Sequence, residues 1–362
     1  MEHTRAWLSG GTLVTPRGLR PGVVGIRDGR LVAVGRKTAA GGTRLSVSGL
    51  YVAPGLIDLH VWGDAQLVSR LEARSGTTGF LTTLGPESPE RLVQDLVQWD
   101  GTAMAGAECL GVHLEGPFLN PLRAGALASR WLRPPTSREL RQLARWGDGR
   151  WKLVTIAPEL PRGLEAIRWC ARHGITVSLG HSDANASVTQ RAIRAGARAV
   201  THVFNGMRPL HHRDPGLLGE VLTDDQLTAM VILDGVHVDP VAFQMLLRCK
   251  GPSGVVLVTD SVRHQAAPRR VPKRRAFYTP AGALAGSRLS MIQAVENAMR
   301  FGGLSLTEAV HMGSLNPARL IGVAQARGTL EVGKRADVVV FDRRFRVVMT
   351  IVAGRIVYRR AT

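Results

Sequence analysis

Five residues of this chain carry most of its capacity for chemistry: His60, Glu115, His181, His202 and Asp260, each at or just beyond the end of a short apolar run. A carboxylate with two imidazoles, as in Glu115 with His181 and His202, is the set that binds a catalytic zinc or similar divalent ion while leaving a position for water. Such an ion lowers the pKa of water toward neutrality and polarises a carbonyl, which suits amide hydrolysis. Asp260, in LVTDS, could take the proton from that water and pass it to the leaving nitrogen. Taken singly, each histidine is as readily a hydrogen-bonding residue at a strand end. Spacing alone leaves both readings open.

The elements that must position these residues are legible as eight apolar runs: GLIDLH (55–60), GFLTTL (79–84), LGVHLE (110–115), KLVTIAP (152–158), ITVSLG (175–180), AVTHVF (199–204), TAMVILD (228–234) and VVLVTD (255–260). Amphipathic stretches such as SPERLVQDLVQW, SRELRQLARW, LEAIRWCARH and VTQRAIRAG lie between them, with Ser or Asn near several starts and Gly after several ends, as helix caps require. Eight strand and helix units predict an α/β fold, a (β/α)8 TIM-like barrel over 53–325. A large open sheet has the same local pattern, but it would spread the polar strand ends apart, whereas a barrel gathers them on one face. Residues 1–52 and 326–362 alternate apolar and polar residues between Gly turns. Neither piece is large enough for a core of its own, so the two are expected to form one small β-sandwich together.

The chain has 362 residues, 44% of them hydrophobic and 21% charged, which describes a globular protein and excludes intrinsic disorder and collagen. Cys109, Cys170 and Cys249 are odd in number and far apart, which argues against a disulfide framework or a thiolate zinc site. No apolar run approaches the roughly 18 residues of a membrane span, and the start lacks a signal-peptide layout, so a cytoplasmic protein without membrane contact is expected. The formal charge of +19 invites a nucleic-acid reading. Only five of the 47 basic residues are lysine, and the other 42 are arginines scattered along the chain, which reads as a composition bias rather than a binding stripe. A nucleic-acid partner is therefore not expected. The one cluster, Arg269, Arg270, Lys273, Arg274 and Arg275, follows Asp260 and reads as a solvated loop that could favour anionic ligands.

The stretches GLIDLH, HLEGPFLNP (113–121), GHSDAN (180–185), THVFNGMRPLHHRDPGLLG (201–219), LDGVHVD (233–239), LVTDS (257–261) and GALAGSRLSM (282–291) closely resemble the N-acetylglucosamine-6-phosphate deacetylase family of the amidohydrolase superfamily, in the family's order. SLNPARLIG and GTLEVGKRADVVVFD are similar to the superfamily's closing segments. The resemblance implies deacetylation of an N-acetylated amino sugar phosphate. Glu115, His181 and His202 would bind one divalent ion per subunit (zinc first, with iron, manganese or cobalt also compatible), and Asp260 would be the acid and base. It also implies that Asn205, Gly206, Ala126, Leu284, Ala285 and Gly286 touch substrate, with His237 and Arg213 near its phosphate. Arg213 matches a residue that relatives supply from the neighbouring subunit, so a homodimer is implied.

Three departures bear on this expectation. Many amidohydrolases carry His-x-His after the first strand, but here it is His60-Val61-Trp62, and an indole has no lone pair for a metal. One ion is therefore expected rather than two, with His60 beside the site or a weak ligand. Leu127 stands where the family typically has an imidazole near a sugar hydroxyl, and the loop after the first strand is short. These changes keep open a different N-acyl sugar or N-acyl amino substrate for the same machinery. A non-catalytic polyanion-binding protein is the remaining alternative, and the presence of every first-choice ligand speaks against it.

Overall fold

The computed structural model describes residues 5–35, 41–98, 104–147, 149–263, 276–280 and 282–361. The basic cluster at 269–275 lies outside the described residues.

Eight parallel strands occur where the apolar runs predict them: Leu56–Gly63, Thr77–Leu84, Glu108–Glu115, Trp151–Ile156, Thr176–Leu179, Ala197–Val200, Thr228–Ile232 and Val255–Val258. Each is followed by a helix, from Ala65–Arg74 after the first strand to Met291–Gly302 after the last. The strands are hydrogen-bonded in sequence order. Both faces of the sheet are covered by side chains, so its strands are nearly continuous apolar runs; all of Val255–Val258 is buried. The eighth strand breaks at Thr259 and Asp260, then resumes as Ser261–Arg263, which pairs in parallel with Val61–Gly63 of the first. The sheet therefore curls until its last strand segment meets its first.

The two chain ends share a second sheet of eight strands. Its ladder runs Arg355–Arg359, Val347–Val352, Val338–Phe341, Tyr51–Pro54, Arg5–Thr15, Gly18–Arg27 and Arg30–Gly35, with Thr43–Ser46 also on Arg5–Thr15. The junction between the ends is the antiparallel pair Tyr51–Pro54 and Val338–Phe341. Leu8, Leu13, Val24, Leu31, Val340 and Ile351 belong to a buried cluster of its own, distinct from the one around the parallel strands.

Ion pairs tie the two sheets together at the end of the parallel strands remote from Glu115. Arg327, only 7% exposed, donates to Asp337 Oδ2 and Glu108 Oε2, both at 2.7 Å, and Arg335 also pairs with Glu108. Removing one member of a buried pair leaves its partner charged and unsolvated, at a cost of about 3–5 kcal/mol. Arg335 still reaches Asp337 at 3.2 Å, so Arg327→Ala should lower stability by at most about that much in urea denaturation, with the secondary structure of the folded state unchanged.

Candidate active site

The curl of the sheet brings the strand ends together. Glu115 is the last residue of the third strand, and His181 and His202 each follow their strands by two residues. His181, His202 and Asp260 have φ values of 46°, 30° and 47°, in the left-handed region that non-glycine residues avoid. Each thus turns off its strand at the rim rather than continuing the in-and-out alternation.

Glu115 Oε1 lies 2.7 Å from His202 Nε2 and 3.1 Å from His181 Nε2, and the two nitrogens are 3.2 Å apart. Ligand atoms around a tetrahedral zinc with bonds of 2.0–2.1 Å are separated by about 3.3 Å, so this spacing suits such an ion. The donor chemistry agrees. His181 Nδ1 is 2.7 Å from the Arg123 carbonyl, which can only accept, so the ring proton belongs on Nδ1 and Nε2 presents a lone pair. His202 Nδ1 is buried without a partner among the described residues. Burial alone would raise the Glu115 carboxyl, but His60, His181 and His202 outweigh it and hold it well below the ordinary carboxylate range.

A second donor set, His60, Glu115 and His202, also lies close enough to hold an ion. His60 Nε2 is 3.1 Å from Asp260 Oδ1 and 3.5 Å from Glu115 Oε2. Burial pulls this imidazole down, yet in the ion-free chain the two carboxylates raise it to about 9. The set completed by His181 is the tighter one, since both its imidazoles meet the same Glu115 oxygen, while His60 lies between Glu115 Oε2 and Asp260 Oδ1. Beneath them runs a buried polar chain from His60 Nδ1 to His113 Nδ1 (2.9 Å), from His113 Nε2 to Thr155 Oγ1 (2.8 Å) and on to Thr201 and Ser178. Burial, with His60 alongside, holds His113 well below its ordinary value and keeps it neutral.

The loop that supplies the Arg123 carbonyl is pinned in turn. Arg123 donates to Asp183 Oδ1 from Nε (2.9 Å) and Nη2 (2.6 Å), and Arg208 reaches Asp183 Oδ2 at 3.3 Å. Glu159 fixes the same turn by accepting from Asn120 Nδ2, Ser182 Oγ and the Asp183 amide. Partners that orient a ligand typically account for a 10–100-fold effect on metal affinity. Asp183→Ala should weaken ion binding by about that factor in competition against a chelating dye, with the secondary structure retained.

A cavity of about 390 Å³ opens over these groups. Glu115, His181, His202 and Asp260 line it, as do Ala126, Asn205, Gly206, His237, Leu284, Ala285 and Gly286 from the expected substrate set. His237 Nδ1 pairs with Asp234 Oδ2 at 2.8 Å, leaving Nε2 for a ligand. Gly206 has φ 61°, and a Cβ there would lie 3.0 Å from His181 Nδ1, so a side chain would press on the ligand ring. Leu127 and Trp62 also line the cavity. Arg213 does not: it is exposed, with Nη1 3.1 Å from His212 Nε2, apart from this chain's own cavity.

This site and fold are those of metal-dependent hydrolases, and the chain belongs to the amidohydrolase family, whose pattern matches residues 51–357. Within that family it is similar over most of its length to N-acetylglucosamine-6-phosphate deacetylases. It is 33% identical to the enzyme of that name from Bacillus subtilis, over 94% of this chain and 93% of that one, and 36% identical to that of Vibrio furnissii, over 85% and 83%. The structure of a mutant N-acetyl-D-glucosamine-6-phosphate deacetylase from Mycobacterium smegmatis, in complex with N-acetyl-D-glucosamine-6-phosphate, superposes with a TM-score of 0.88 at 30% identity, covering 99% of this chain and all of that one.

Proposed function

We propose that this protein removes the acetyl group from N-acetylglucosamine 6-phosphate, giving glucosamine 6-phosphate and acetate. The observation that carries the reading is the convergence of Glu115, His181 and His202 on one point, with Asp260 on the wall of the same cavity. A divalent ion held by those three residues would polarise the acetamide carbonyl and acidify water. Asp260 accepts the proton of the water that attacks the carbonyl carbon, then delivers it to the nitrogen as the C–N bond breaks. Asn205, Gly206 and the backbone at 284–286 hold the sugar, and His237 meets the phosphate. Arg213, remote from its own cavity, reaches the phosphate of a neighbouring subunit in a homodimer, as an arginine fork suits phosphate.

Several finer readings go with this one. The pairing of Ser261–Arg263 with Val61–Gly63 supports a closed (β/α)8 barrel over 53–325, and the separate core of the terminal segments 1–52 and 326–362 supports a small β-sandwich. No helix among the described residues is long and apolar enough to cross a membrane, in keeping with a cytoplasmic enzyme. One ion per chain is expected, with zinc the first choice.

The test is acetate release from N-acetylglucosamine 6-phosphate by purified protein, before and after chelation and with zinc or iron restored. Release that disappears with the ion and returns with it supports the reading. Because Leu127 offers no hydrogen bond to a substrate hydroxyl, the assay should include other N-acyl sugars and N-acyl amino acids. Turnover confined to unphosphorylated compounds would replace this substrate with another amide for the same machinery.

A further inference from the structure

Trp62 enters the sequence reading only as a residue that cannot bind a metal, yet it touches the catalytic carboxylate. Its Nε1 donates to Asp260 Oδ1 at 2.8 Å across the seam where the first strand meets the eighth. The same oxygen faces His60 Nε2 at 3.1 Å. No partner holds Oδ2 among the described residues.

The indole is firmly seated. Its far edge lies over Gly85, where a Cβ would come 3.0 Å from two ring atoms, and it meets the His60 ring edge-on with centroids 5.9 Å apart. An indole N–H donates and never accepts, so it cannot exchange protons with Asp260 during turnover. It is a fixed donor on one oxygen of a carboxylate whose two oxygens would otherwise be equivalent.

We propose that Trp62 is a positioning residue: by holding Oδ1 it stops rotation of the Asp260 carboxylate and reserves Oδ2 for the proton that passes from water to the leaving nitrogen. This rests on the role assigned to Asp260 above. The geometry differs from packing alone, because its effect should travel entirely through Asp260.

Trp62→Phe keeps an aromatic ring at this position, gives up the far edge over Gly85 and removes the donor. Loss of a hydrogen bond to a charged group corresponds to about tenfold or more. The expected result is a fall in kcat of at least about tenfold, with KM within twofold and the ion content per chain unchanged by elemental analysis. In an Asp260→Asn background the same change should alter the residual rate by less than about twofold, since neighbouring residues acting through one group are non-additive. Equal losses in both backgrounds, an unchanged kcat in the single variant, or loss of the ion would each overturn the proposal. One readout is independent of substrate. In nitrogen-15-tryptophan protein, the indole N–H signal that disappears in Trp62→Phe should be protected from exchange, and Asp260→Ala should remove that protection. Persistence of the protection would sink the assigned bond. If the unaltered protein released no acetate, the functional reading would fail, while this signal would still decide whether Trp62 holds Asp260.

Discussion

Asp260→Asn should lower kcat by about 10²- to 10⁴-fold, the usual share of a positioned acid and base. The substitution is nearly isosteric, so an amide oxygen can still accept from Trp62 while the capacity to carry a proton is lost. KM and ion content should change little, because the proposed ligand set Glu115, His181 and His202 is left whole. Each tenfold corresponds to about 1.4 kcal/mol of transition-state stabilisation, so the loss amounts to about 3–5 kcal/mol. Steady-state acetate release, paired with elemental analysis, reads both quantities. A variant that retained kcat would remove Asp260 from the mechanism and shift the base to another group at the cavity.

The second large effect is expected at Glu115, the only carboxylate in the converging set. Glu115→Gln keeps the shape, removes the negative charge, and leaves two imidazoles and an amide to hold the ion, so activity should fall with ion content. An ion that binds only the folded chain stabilises it by about 4 kcal/mol at a thousandfold excess over Kd. The melting temperature of the unaltered protein should accordingly climb with added zinc, and that of the variant should not at the same concentrations. The chelated protein gives a second readout. His60 is raised from 6.5 to about 9 because Glu115 and Asp260 outweigh the burial that lowers it. A raised imidazole contributes stability that is fully present below pH 6.5 and is lost as the pH rises toward 9. Chelated protein should melt progressively lower across that window, and Glu115→Gln should flatten the decline. An identical slope in both would show that Glu115 is not what holds the His60 proton.

Much of the candidate site was legible in the sequence, and the reason is local. Strands buried on both faces read as apolar runs, and a charged residue ending such a run, like Glu115 or Asp260, interrupts the pattern visibly. Each of the eight runs overlaps a strand, with ends within about two residues except that the first strand runs on to Gly63 and the sixth stops at Val200, and the terminal alternation became a shared sheet. What stayed hidden depends on partners distant in the chain. Trp62 and Asp260 are 198 positions apart, and nothing in His-Val-Trp announces a donor aimed at the last strand. Asp183 and Glu159 are ordinary loop acids in sequence, and their hold on the turn around His181 exists only once three loops meet. His113 sits inside an apolar run, where one imidazole carries no periodic signal. The eighth run was read as unbroken through 260, but the backbone turns left-handed at Asp260, a conformation that residue type alone does not forecast outside glycine.

That turn recurs at His181 and His202, so three of the residues to which the proposed chemistry falls occupy backbone positions that an unselected chain would give to glycine or asparagine. Each such position carries a penalty of about 1–3 kcal/mol. Selection for heat tolerance alone would therefore pull against selection for turnover. A library screened only for surviving folded protein should accumulate glycine and asparagine at 181, 202 and 260 and become steadily hardier and less active, whereas one screened for acetate release should keep all three residues and gain its robustness elsewhere.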